Sequence, residues 1–142
     1  MVEIYTSYFA NYKKIPPDYQ CVSVANTKPK SLFIPRWDVV LPSWQLVKAY
    51  KQKELSMTEF MTMYGIQLNR HSTFTYYTDL VKYATGASNE SDSFEFPPHV
   101  DTSKIRPVVL MCWEKEAEYC HRVMLAYYLV KNGIKTIYKG EL

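Results

Sequence analysis

The order of apolar and polar positions marks out two short strands near the start of the chain. Residues 2–6 and 20–24 are runs rich in β-branched and aromatic side chains, separated by turn formers at Asn11, Pro16, Pro17 and Asp18. From 25 to 42 the chain carries Pro29, Pro35 and Pro42 together with Lys28, Lys30 and Arg36. So many prolines exclude a regular helix or a central strand and predict a long basic loop. Helical spacing then takes over. Ser43 can cap a helix to about residue 53, with Trp44, Val47 and Tyr50/Lys51 along one stripe. Ser56 followed by Glu59 is a capping-box pattern ahead of Phe60, Met63 and Tyr64, in a helix that Gly65 is expected to end or kink. A third helix over 73–84 places Phe74, Tyr77, Leu80 and Val81 on one face, with Gly86 beyond its end.

Residues 87–104 hold serines, Pro97, Pro98 and four carboxylates, and predict an exposed acidic loop. After it the apolar run 108–112 has the character of a strand buried on both faces in a parallel sheet. A charged hinge, an apolar helix over 119–131 stopped at Asn132-Gly133, and a last strand over 134–138 complete a strand, helix, strand unit. The reading is one α/β domain spanning 1–142, a small parallel or mixed sheet with helices on both faces in three layers.

Composition narrows the function. The chain has 142 residues, 47% of them hydrophobic and 22% charged, which suits one folded domain and excludes a disordered chain. It contains no apolar run long enough to cross a bilayer and opens without the basic-then-apolar order of a signal peptide, so a cytoplasmic protein without membrane contact is expected. The four glycines are isolated, which excludes a glycine-rich phosphate cradle. A formal charge of +3 does not by itself argue for nucleic acid. Three cysteines in a domain of this size favour free thiols over a disulfide framework. Thirteen tyrosines suit either a core or a stacking surface.

The chemistry concentrates near the end of the chain. In an open parallel sheet, ligands bind beyond the carboxyl ends of the strands, facing helix N-termini. Cys112 closes such a strand, Glu114 follows it, and Cys120, His121 and Arg122 open the next helix. Arg122 and the helix end favour an anion such as phosphate, and His121 is a proton carrier. The two cysteines have three readings: small buried hydrophobes, a reactive thiol, or zinc ligands with His121, the last disfavoured because adjacent helical side chains diverge. Arg122 reads either as a surface partner of Glu118 or as a ligand arginine at a rim.

These residues resemble a known family. The segment from Val109 through Cys112, Glu114, Cys120, His121 and Arg122 to Gly133 is similar to the C-terminal signature of domain of unknown function 488. There a strand ends in Cys-x-Glu and Cys-His-Arg starts the following helix. The opening residues Ile4 to Asn11 are similar to the family's first strand and loop. The chain departs from many members after the second strand, where Ser23, Val24, Ala25 and Asn26 replace a frequent Asp-Val-Arg. The resemblance implies the fold and the place of the pocket in small cytosolic bacterial, archaeal or phage proteins, with nucleotide or nucleic-acid chemistry as the suspected field.

The expected function is therefore binding of an anionic ligand, a nucleotide or a nucleic-acid component, with or without catalysis, by a monomer or homodimer. Glu114, His121 and Cys120 are the catalytic candidates. Thr6, Ser7, Tyr8, Cys112, Arg122 and Arg36 are the ligand-binding ones, and no metal or cofactor is expected. The alternative is a non-catalytic module that binds nucleic acid through the basic stretch 28–53, with Trp37, Trp44 and Tyr50 among its charges, or protein through the acidic loop.

Overall fold

The computed structural model describes residues 1–86, 105–115 and 121–142. The acidic loop at 87–104 and Cys120 lie outside the described residues. Four strands, β1 (Val2–Tyr8), β2 (Gln20–Ser23), β3 (Val108–Cys112) and β4 (Thr136–Glu141), form one parallel sheet in the order β2-β3-β1-β4. Every residue of β3 is buried, as its continuous apolar run predicts for a central parallel strand. The helices are α1 (Trp44–Lys51), α2 (Met57–Leu68), α3 (Thr73–Ala84) and α4 (His121–Lys131). A short 3-10 helix at Phe9–Lys14 follows β1.

The strand order distributes these elements. The crossovers from β2 to β3 and from β3 to β4 step across the sheet in one direction, and that from β1 to β2 steps back. Right-handed connections therefore place the four α-helices of the described residues on one face and the 3-10 helix after β1 on the other. Side-chain contacts agree. Tyr76 of α3 meets Tyr128 of α4, and Tyr127 of α4 meets Tyr138 of β4. On the opposite face Tyr5 stacks on Tyr19, and Asn11 of the 3-10 helix donates to Ser7 at 3.0 Å. The α/β class and parallel sheet are as expected, with the helices on the two faces unequal in number.

Several element boundaries differ from expectation. Helix α2 runs through Gly65 to Leu68 without a break, and a Cβ at position 65 would sit 3.3 Å from Met124 Cε, a tight contact with the end of a flexible side chain. Phe74 is 70% exposed, while Leu80 and Val81 of the same face are buried together with Tyr76, Tyr83 and Ala84. Strand β4 begins two residues later than predicted and reaches Glu141, since its backbone pairing with β1 continues through Gly140, whose φ of 117° accompanies a shift in register. The 25–42 segment is irregular as expected, except that Arg36 makes a parallel bridge beside Ser23 and a short 3-10 turn spans Asp38–Val40.

Candidate functional site

Arg122 is fully buried and every one of its five N–H donors has an acceptor within the protein. Its Nε and Nη2 grip the two carboxylate oxygens of Glu141 at 3.1 and 2.6 Å. Its Nη1 donates to the Glu114 carbonyl at 2.6 Å and to Cys112 Sγ at 2.9 Å, and its Nη2 reaches the Lys115 carbonyl at 3.3 Å. The guanidinium thus binds the ends of β3 and β4 together. It does not present a free fork to a ligand, which corrects the anion-binding role expected for it. The residue acts on the site through position, by holding the backbone that carries Trp113 and Glu114.

Cys112 is buried and disulfide-bonded, while Cys21 is a free thiol whose pKa burial pushes up to about 11. The expectation of free thiols is corrected at Cys112: an odd number of cysteines does not exclude a bond between two of them. Thr6 and Ser7 are also buried, and successive strand residues point to opposite faces, so they cannot line one pocket together. The Thr6 hydroxyl pairs with the Tyr138 hydroxyl at 2.6 Å on the α-helical face. Ser7, on the other face, accepts from Asn11 and donates to the Leu142 carbonyl. Tyr8 closes β1 beside Cys112. Arg36 is exposed, pairs with Asp38 at 2.7 Å and donates to the Asn26 carbonyl at 3.2 Å.

Glu114 and His121 do come together, in a different company. Both line a cavity of about 110 Å³ beyond the carboxyl ends of β2 and β3. Trp44, Val47 and Lys51 border it from α1, Phe60 from α2, Asn26 and Thr27 from the loop after β2, and Trp113 from the turn after β3. The stripe of Trp44, Val47 and Tyr50/Lys51 therefore faces this cleft; among the residues of α1 only Leu46 is buried. Two of the aromatic walls are open to solvent, Trp44 at 62% and Trp113 at 50% exposure. The Trp113 indole is fixed by Nε1–H bonds to the Thr27 carbonyl and Oγ1, and its ring meets Phe9 edge to face at 4.9 Å. Tyr50, which also lines the cleft, packs on Phe60, and Phe60 on Tyr64. Trp37, by contrast, is a core residue donating to Asp79 at 2.8 Å, so it leaves the basic surface on which it was expected.

The His121 ring rests edge-on against Tyr64 and contacts the Val24 carbonyl through Nε2 at 2.5 Å. A carbonyl only accepts, so Nε2 carries the proton, and the neutral ring keeps its lone pair on Nδ1. Burial is the main cause holding the His121 pKa below its usual value. The nearby Arg122 charge adds to this, while the Val24 hydrogen bond and Glu114 oppose it. The imidazole is thus a neutral acceptor or base.

Among the described residues, no group of three or more His, Cys, Asp or Glu side chains is arranged to hold a metal ion. Among them, too, no helix is long and apolar enough to cross a membrane. Compared with known proteins, the chain matches no family model, no curated protein and no solved structure.

Proposed function

We propose that this protein binds a nucleotide or a nucleic-acid component by stacking its base in the aromatic cleft between α1 and the turn after β3. One observation carries the reading: exposed indoles from two separate elements, Trp44 and Trp113, border a single cavity with Glu114, His121 and Lys51. A lone exposed aromatic residue needs no explanation, but two on one concave surface with charged neighbours suit a planar, polar ligand. Stacking on an aromatic side chain contributes about 1–3 kcal/mol per base. Lys51 adds positive charge to the same cavity, which suits an anionic ligand. Placement of a ligand at the strand carboxyl ends agrees with the general habit of open parallel sheets.

Membership of the domain of unknown function 488 family and a cytoplasmic location belong to the same proposal, supported by the Cys-x-Glu and Cys-His-Arg segments and by the composition. The cleft is a binding site in this account, with the neutral His121 ring as the group able to accept a proton if chemistry follows.

The test is tryptophan fluorescence titration with nucleoside monophosphates and short single-stranded oligonucleotides. Quenching that saturates, and that weakens at least about fivefold in affinity in Trp44→Ala, is the expected result. Unchanged affinity in that variant, or no quenching by any ligand, contradicts the proposal.

A further inference from the structure

Aromatic walls do not choose among bases, because every base has a stacking face. The polar groups of the cleft are more selective. Glu114 brings a carboxylate, which offers only acceptors and has several lone-pair sites, so it can take further donors beside the partners it already has. Asn26 gives one Nδ2 N–H to the Pro42 carbonyl at 2.9 Å and keeps Oδ1 as an acceptor. Lys51 is a permanent donor at the same cavity.

Such a lining suits a base edge with two neighbouring N–H donors followed by an acceptor. Guanine has this edge, with the 2-amino group and N1–H side by side and O6 next to them. Adenine and cytosine each set a ring-nitrogen lone pair beside their amino group, and against a carboxylate that lone pair repels. Uracil has one N–H between two carbonyl oxygens, which meets the carboxylate with one donor in place of two.

Resting on the base-stacking reading above, we infer that the cleft selects guanine, with Glu114 accepting from N1–H and the 2-amino group and Lys51 available to O6. The guanine belongs either to a free nucleotide or to a single strand, and both present the same edge.

The experiment is a fluorescence titration of the full chain with GMP, IMP, AMP, CMP and UMP, repeated with Glu114→Gln. A short thymidine oligomer with one central guanine is compared with the all-thymidine oligomer. A bidentate contact of this kind discriminates by about 1–3 kcal/mol, so GMP is expected to bind at least about fivefold more tightly than AMP, CMP or UMP. IMP, which lacks the 2-amino group, falls between them. Glu114→Gln is expected to narrow the gap from both sides, weakening GMP and relieving the repulsion that AMP meets at the carboxylate. The exposure of Glu114 lets the variant fold, which its melting curve verifies. Equal binding of the four common bases overturns the selectivity and leaves stacking intact; binding of none overturns both. A guanine preference that survives unchanged in Glu114→Gln overturns the role given to that residue. Tighter, salt-sensitive binding of the guanine oligomer than of GMP identifies a strand as the source, and equal affinity identifies the free nucleotide.

Discussion

The guanidinium of Arg122 is removed from water entirely, and the cost of that desolvation is offset by five hydrogen bonds, two of them to the Glu141 carboxylate. Glu141 keeps part of its side chain in water, so removing Arg122 costs mainly the acceptors it leaves at Cys112, Glu114 and Lys115 and the space it fills. Arg122→Ala is therefore expected to lower unfolding stability by about 2–4 kcal/mol in urea titration, and a loss below about 1 kcal/mol contradicts the clamp. His121 gives a second test at this scale. Its folded-state pKa lies below its unfolded value, so the unfolded chain binds the extra proton first as pH falls. The stability tied to its neutral form is present above the unfolded pKa, near 6.5, and is lost as pH falls through 6.5 toward the lower folded value. Thermal melts between neutral and mildly acid pH should show a steeper fall for the wild type than for His121→Gln; parallel curves would contradict it. The residue types of this region were legible in the sequence, since Glu114, His121 and Arg122 announce themselves by chemistry. Their partners were not. Glu141 lies nineteen residues beyond Arg122 on another strand, and no local spacing rule joins a helix start to the end of the strand that follows it.

Local chemistry fixed the helix starts well. Ser56 and Glu59 exchange side-chain and backbone hydrogen bonds at the head of α2, the reciprocal cap their spacing predicts. Ser56→Ala is expected to cost about 1 kcal/mol, read as a lower melting temperature; no change would show that α2 is held by packing alone. Helix faces were harder to read. In α1 the stripe of Trp44, Val47 and Lys51 has the periodicity of a core face, yet it borders the cleft, because periodicity reports a shared side and not what covers that side. The same limit explains Phe74, whose spacing matched a buried face that α3 turns to solvent. Gly65 misled for a related reason. A glycine inside a helical pattern lowers helix propensity without forcing an end, and α2 continues past it to Leu68.

At the scale of the whole molecule, the strand order determines what meets at the carboxyl edge. With the α-helices on one face, α1, α2 and the start of α4 converge over the ends of β2 and β3, while β1, between β3 and β4, runs on into the 3-10 helix on the other face. That is why Thr6 and Ser7, adjacent in sequence to a promising loop, are spent on Tyr138 and Asn11 and leave the cleft to residues from the middle of the chain. The alternation of strands and helices gave the α/β class in advance; the order of strands, which requires long-range pairing, lay beyond it. The three tryptophans give the most direct test of the resulting account, because Trp44 and Trp113 line the cleft and Trp37 is buried with its indole N–H on Asp79. In a nitrogen–proton correlation spectrum of the labelled protein, added GMP is predicted to move the indole signals of Trp44 and Trp113 and leave that of Trp37 in place. If Trp44 and Trp113 stay fixed at saturating nucleotide, or all three signals move alike, the cleft is not where a base binds.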